Sequence, residues 1–544
     1  MVLPTASKNQ KIIFLIIFII CLFIQIIPVI RSGLNYSYGI GFWGPNAHDG
    51  VWHLSLINHI DNPLKIKMPI FSGEILKNYH PFFDILISTL SKITFINSSI
   101  WLFQIFPLIT SIMFLYLSFL LGTKITKSFS GGIILLILNS IGNSLGWIVS
   151  LIRFGNLGGE SIFWTMQSPS NQLNPPYMLS ILLLLSLIYI LRSPQPKKIL
   201  IFFILIFLPI IKVYSAVPAF IIFFFYVLKN KKYLLTFILS LIVAAALFFQ
   251  YNSTSSSLIK FQPFWFINSM FESPDRLYIP RIANMRYTLE SSGEIGPRLL
   301  AYYLIGFAVF IVGNFAFRLL SLKELLKNKV VLLCIVICTL IPTLFIQRGT
   351  SWNTIQFLYY ALFLANIPLC LFLSKHRKIT ILVVLLNLLP LIASLPNYLG
   401  KIPPSAISNY EISALNFLKQ QAKGNVLTYP YDAYLKKSFS STPLPIYAYE
   451  TTSYVAAYSQ QSVFLADEMN LDNSGYDWQQ RRLDSTNFFN QKNVYADRGI
   501  LVNNQIDYIY LPKIYFPKNW QYNPEMYLET IYENPEIIVY KVKR

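Results

Sequence analysis

The sequence predicts a polytopic α-helical membrane protein of about eleven spans followed by a soluble C-terminal α/β domain. Three observations predict it. Apolar runs long enough to cross a bilayer recur over residues 1–399, lysine and arginine cluster between alternate pairs of those runs, and both patterns stop near residue 400. The residues are 54% hydrophobic and 12% charged, with a mean hydropathy of +0.50, well outside the range of soluble domains.

A bilayer-spanning helix needs about 20 predominantly apolar residues. Runs of that kind lie at about 12–31, 99–121, 131–152, 177–192, 199–212, 214–228, 233–250, 299–320, 330–347, 353–373 and 379–398, the pair around Lys212 being short. The first has the length of a span and no small-residue cleavage site, so a retained anchor is predicted rather than a cleaved signal. Pro81–Ile96 is a further apolar stretch, and parity decides its state. If it lies at the interface and the N-terminus is cytoplasmic, the inner loops carry seventeen basic residues, from Lys8 to Lys378, against one acid, Glu324. If it spanned, most of those charges would face outward, against the positive-inside bias. Asp84 and Lys92 within the stretch agree, because ionisable groups are costly at the bilayer centre.

The expected domains are therefore a membrane part, 1–399, with large external loops at 32–98, 153–176 and 251–298, and an external α/β domain, 400–544. Lys plus Arg outnumber Asp plus Glu by 30 to 10 in the first and balance at 14 to 14 in the second. The whole net charge of +20 thus belongs to the membrane part, where it reads as topology and contact with membrane lipids rather than nucleic-acid binding. Cys21, Cys334, Cys338 and Cys370 fall in apolar runs, so the tail carries neither a disulfide framework nor a thiolate metal site.

In the tail, helical spacing over Glu411–Gln421, Trp478–Phe489 and Pro524–Tyr532 alternates with strand-like Asn425–Tyr429, Val463–Ala466, Ile506–Leu511 and Glu536–Val542. It has no Gly-rich phosphate loop, no nucleophile elbow and no histidine. Tyr447, Tyr449, Tyr454 and Tyr458 are dense enough for sugar stacking, with core packing the blander explanation.

Chemistry is sought outside. Four of the five histidines, His48, His53, His59 and His80, lie in the first external loop with Asp49, Asp61, Glu74 and Asp84. His48-Asp49-Gly50-Val51-Trp52-His53 follows the first span, and Asn78-Tyr79-His80-Pro81 comes some thirty residues later. If Asp49 begins a helix, His53 lies one turn on, on the same face, where the two can share a proton network or a metal. An N-cap aspartate beside a surface histidine is the plainer alternative.

An anchor helix, an early external Asp and a His-Pro opening an apolar interfacial helix together resemble the GT-C superfamily of membrane glycosyltransferases. The aminoarabinose transferase and protein O-mannosyltransferase branches carry an Asp-Glu pair and a His-Pro-Pro-Leu-like sequence there. This chain has Asp49-Gly50 and His80-Pro81-Phe82-Phe83 in their place. The resemblance implies transfer of a sugar from a polyprenyl-phosphate-linked donor to a glycan, lipid or protein acceptor on the outer face of the plasma membrane, with inversion. It implies Asp49 as the base, tuned by desolvation against apolar surface, with His80 or His53 orienting it.

A leaving phosphate needs a cation. Lys212, in Pro209-Ile210-Ile211-Lys212-Val213-Tyr214-Ser215, sits at the turn between two short apolar segments, and Arg348 sits in a tight loop before Trp352. Snorkelling to lipid headgroups is an equal reading of Lys212. Arg281, Arg286 and Arg298 are weaker candidates. Glu160 is the acid of the second external segment, either a second active-site carboxylate or an ordinary loop residue. A divalent metal is compatible with these groups, but no three ligands recur at fixed spacing and no cofactor is demanded. Two other classes stay open, a lipid-linked saccharide flippase or transporter and a non-catalytic membrane scaffold. The first would carry internal repeats and ionisable groups at mid-membrane depth, neither of which the sequence displays.

Overall fold

The computed structural model describes residues 7–160, 162–163, 165–252, 254, 258–347, 351–490, 494–515 and 527–543. Its contacts divide the chain into two compact units. One comprises residues 1–28, 107–250 and 256–399, the other residues 29–106, 251–255 and 400–544.

The first unit is helical. Among the described residues, seven helices are long and apolar enough to cross a membrane: Lys8–Ile30, Ser98–Thr126, Lys198–Lys229, Lys231–Tyr251, Pro297–Lys327, Asn353–Leu373 and Arg377–Leu399. An eighth crossing is the pair Phe129–Ile141 and Gly146–Phe154, bent by 43°, and Pro175–Leu191 and Lys329–Leu344 are shorter apolar helices. The protein is an integral membrane protein.

Lys198–Lys229 accounts for two expected segments at once. A straight helix of 32 residues would be about 48 Å long, yet its ends meet. The Tyr233 hydroxyl, just past one end, donates to the carbonyl of Pro196, just before the other, at 3.0 Å, and the Lys198 ammonium lies 5.6 Å from the centre of the Tyr233 ring. The reversal is at Lys212, whose φ of −161° and ψ of 107° leave the helical region. Pro209 and Pro218 flank it, each removing a backbone donor from the ladder. The Ser215 hydroxyl then satisfies the Lys212 carbonyl at 2.7 Å. With this hairpin counted as two arms, the apolar segments number as the sequence predicts.

The interior of this unit is not wholly apolar. Residues 168–173 of the second external segment form a 3-10 turn with Pro169, Ser170, Asn171 and Gln172 buried, and a buried turn needs its backbone satisfied. Gln25 Nε2 donates to the carbonyls of Ser168 at 2.9 Å and Ser140 at 3.2 Å. Gln172 Nε2 donates to Ser111 at 2.7 Å. Arg318, one of the seventeen basic residues that the sequence places in inner loops, is buried instead. Its Nε donates to Asn366 Oδ1 at 2.8 Å and its Nη1 to the Asn143 carbonyl at 3.3 Å. It thereby supplies donors where the helix breaks after Ile141 and leaves carbonyls exposed.

The second unit joins the first external loop to the tail through shared sheets. One sheet runs Asn35–Tyr36, Gly39–Phe42, Ser405–Ser408, Leu444–Pro445. Its central pairing is antiparallel, with Gly39 opposite Ser408 and Phe42 opposite Ser405. The other sheet runs Leu528–Glu533, Ile537–Val542, Ile506–Pro512, Asn425–Thr428, Ser462–Val463, and its last three strands are parallel. Loop residues extend this sheet too: Ser72 N–H donates to the Val463 carbonyl at 3.0 Å and Val463 N–H to that of Pro69 at 2.8 Å. Between the sheets' strands, Asn409–Lys419 is a helix opened by a capping box of Ser408 and Glu411. The helix expected over Pro524–Tyr532 is a strand, Leu528–Glu533, in its described part. Thr530, Ile531 and Tyr532 favour extended backbone, and Ile537–Val542 offers an antiparallel edge that an isolated reading of helical spacing cannot see.

Pro81–Ile96 becomes the helix Phe82–Thr94, of 13 residues, about 20 Å long and too short to span. Its Asp84 is fully buried against His53.

Two outcomes are expected. In a variant carrying Gln195→Cys or Lys231→Cys, a membrane-impermeant maleimide will label both positions from the same face, whereas a straight helix would place them on opposite faces; the native cysteines are buried. Gly39→Ala will lower thermal stability by about 2–3 kcal/mol, because Gly39 sits at φ 120° and an added Cβ would lie 2.0 Å from the Ile407 carbonyl oxygen.

Candidate active site

Asp49 opens the helix Asp49–Ile57, with His48 as its N-cap residue. The turn before it is braced from the tail, where the Thr452 hydroxyl donates to the Ala47 carbonyl at 3.2 Å. These contacts leave the Asp49 side chain 54% exposed while His48 is buried.

His48 bridges two carboxylates. Its Nδ1 lies 2.8 Å from Asp49 Oδ1 and its Nε2 3.0 Å from Asp467 Oδ1. Asp467 is wholly buried. It caps the helix Glu468–Ser474 from a left-handed conformation, φ 50°, accepting from the Asn470 backbone N–H at 3.3 Å and side-chain amide at 2.8 Å. Burial alone would push the His48 imidazole down, but the charges and hydrogen bonds of Asp467 and Asp49 outweigh it and hold its pKa well above the ordinary value. His48 is therefore an imidazolium donating from both nitrogens, and one of them fixes Asp49. Glu450 flanks the group; burial pushes its carboxyl up, with His48 opposing.

The partner of His53 Nδ1 is Asp84 rather than the Asp49 that i,i+4 spacing suggests. His53 Nδ1 pairs with Asp84 Oδ1 at 2.8 Å, and Tyr79 joins them, its hydroxyl 3.4 Å from His53 Nδ1 and accepting from Trp52 Nε1 at 3.1 Å. Burial raises the Asp84 carboxyl, with His53 opposing. This pair locks the helix Asp49–Ile57 to Phe82–Thr94. His80 stands in the turn between them, where Asn78 N–H donates to the Tyr251 carbonyl at 2.6 Å and Asn252 Nδ2 to the Tyr79 carbonyl at 3.1 Å. The exposure of Asp49 also differs from the apolar wall expected around it, and what holds the carboxylate is the neighbouring His48 ring.

The remaining candidates lie elsewhere in the chain. Lys212, in the helical unit, tips the hairpin, donates to Gln356 Oε1 at 2.8 Å and lies 5.7 Å from the centre of the Tyr214 ring. Glu160, also in that unit, accepts from the Gln167 N–H at 2.9 Å and the Ser170 hydroxyl at 2.7 Å; burial raises its carboxyl. Those bonds make it the clamp of its own loop. Arg286 is ion-paired with Glu272 and Glu290. Arg348 lies outside the described residues. Among the described residues, no group of three His, Cys, Asp or Glu side chains is placed to hold a metal ion.

Sequence reasoning missed His48 as the positioning group and Asp467 altogether. His48 is adjacent to Asp49 and was visible. Asp467 lies 419 residues from His48 in a stretch with no motif, and nothing but the folded chain pairs them.

His48 gains its partners on folding, and its pKa rises from about 6.5, so the stability it contributes is complete below about pH 6.5 and is lost as pH rises through the elevated folded value. His48→Gln will therefore melt below wild type near pH 6, and the gap will narrow toward pH 9. A gap that does not change with pH would exclude the imidazolium bridge.

No protein-family model matches the sequence, and no curated protein matches it. Solved structures do. The mycobacterial arabinofuranosyltransferase AftD is similar at 11% identity and a TM-score of 0.53, the match covering 100% of this chain and 42% of that one. The oligosaccharyltransferase of Archaeoglobus fulgidus matches at 12% identity, covering 99% and 74%, with a TM-score of 0.41. The protein ArnT of Cupriavidus metallidurans, solved with undecaprenyl phosphate, matches at 9% identity, covering 98% of each chain, with a TM-score of 0.37. At these identities the likeness is one of fold: over its whole length this integral membrane protein shares the fold of a part, 42%, of the arabinofuranosyltransferase AftD.

Proposed function

We propose that the protein is an inverting membrane glycosyltransferase that moves a sugar from a polyprenyl-phosphate-linked donor to an acceptor on the outer face of the membrane. The observation that carries the reading is Asp49, a half-exposed carboxylate held by the His48 imidazolium on a fold shared with glycosyltransferases. Asp49 takes the proton of an acceptor hydroxyl as that oxygen attacks the anomeric carbon from the face opposite the phosphate. The bond from the anomeric carbon to the phosphate oxygen breaks, and the polyprenyl phosphate leaves with the electron pair. The new glycosidic bond has inverted configuration, and the proton ends on Asp49.

His48 is a positioning residue in this scheme, anchored by Asp467, while the His53–Asp84 pair and the turn at His80 fix the helix that presents Asp49. Lys212 and Arg348 are the proposed cations for the donor phosphate, each a positive group for charge that develops on the leaving oxygen. Glu160 holds its loop. The basic loops support an N-terminus on the cytoplasmic side and residues 400–544 on the other.

Purified protein in detergent, given a panel of polyprenyl-phosphate sugars and scored for transfer by mass spectrometry, tests the reading. Asp49→Asn will lower kcat by roughly 10²–10⁴-fold with little change in KM. His48→Gln will lose less and will shift the pH profile of kcat. Full activity in Asp49→Asn would remove it as the base.

A further inference from the structure

The tail unit carries a cleft that the transfer scheme does not use. It is open to solvent and lies at the ends of three parallel strands. Thr428, Leu465 and Pro512, at or just beyond the carboxyl ends of Asn425–Thr428, Ser462–Val463 and Ile506–Pro512, all line it. In open α/β sheets the carboxyl ends of parallel strands are where ligands bind, because helices and loops part there.

Its walls are aromatic. Tyr429 and Tyr515 stack with ring centres 4.1 Å apart and planes 9° from parallel, Tyr447 leans on Tyr515 at 5.7 Å, and Tyr431 adds a fourth ring. None of these four is fully buried, although tyrosine used only for core packing hides its ring. The rest of the lining supplies acceptors: Glu450, Asp467 and Glu468 contribute carboxylates, and no lysine or arginine is among the described residues that line it. Arg482 neutralises Glu468 from outside the lining, and His48 neutralises Asp467. Glu450 then leaves the cleft electronegative.

Flat apolar ring faces with charged acceptors at the rim suit a ligand with C–H faces and many hydroxyl donors. An anionic ligand would meet the Glu450 carboxylate, while Arg482 and His48 are already committed to Glu468 and Asp467. We propose that this cleft binds an uncharged or amino-sugar oligosaccharide and that this saccharide is the acceptor, the second point resting on the glycosyltransferase reading above. The connection to the chemistry is direct, because Asp467 both lines the cleft and anchors the imidazole that holds Asp49. An acceptor seated on the tyrosines would run toward the exposed Asp49 carboxylate within the same unit.

The test is calorimetric titration of the full chain in detergent, without donor, using cellohexaose, α-1,6-mannohexaose, chitohexaose and hexagalacturonate. At least one of the first three will bind and hexagalacturonate will not. Tyr431→Ala will raise Kd by about tenfold or more. Glu450→Gln, which keeps volume and removes charge, will weaken the neutral ligand severalfold and admit hexagalacturonate. If none of the first three binds, if hexagalacturonate binds as well as they do, or if both variants bind like wild type, the proposal falls. The two readings fail separately: a bound hexasaccharide without transfer from any donor overturns the enzyme and leaves a saccharide site, while transfer without such binding overturns the cleft.

Discussion

The second unit of this protein depends on a backbone pairing. Gly39–Phe42, just past the first span, lies antiparallel to Ser405–Ser408, just past the last. Sheet hydrogen bonds need no particular side chains, but they need close approach, and at Gly39 the Ile407 carbonyl occupies the space a Cβ would take. That approach joins residues 29–106 to residues 400–544, and with them the histidines of the first loop to the carboxylates of the tail. Without it His48 would be a surface residue beside an aspartate.

Electrostatics follow from that pairing. An imidazole buried by itself is driven neutral, whereas one buried between two carboxylates is driven to the imidazolium. Asp467 pays its desolvation back through His48 and Asn470, so its charge is fully partnered. The result is a chain of contacts from a wholly buried carboxylate to a half-exposed one, which holds the Asp49 side chain in place while leaving it open to solvent. The same Asp467 borders the tyrosine cleft, so the cleft and the His48 bridge share one residue.

In the helical unit the governing constraint is that no backbone polar group be left unpaired in an apolar interior. The broken helix after Ile141, the buried turn at 168–173 and the reversal at Lys212 each violate helical pairing. Each is mended by a nearby polar side chain, from Arg318, Gln25 and Ser215 respectively. These three side chains mark where the backbone departs from helix.

The sequence by itself determined the membrane class, the apolar segments and most elements of the tail. Composition, run length and periodicity are local properties, and each of these features follows from them. It read Leu528–Glu533 as helix and Arg318 as a loop cation, because a strand exists only through its partner and the burial of a guanidinium only through the carbonyls it meets. Tertiary structure alone decided that His53 faces Asp84, that His48 joins Asp49 to Asp467, and that the tail tyrosines gather at the ends of parallel strands. These are pairings between groups up to hundreds of residues apart, and their energy comes from burial and charge compensation that no local pattern encodes.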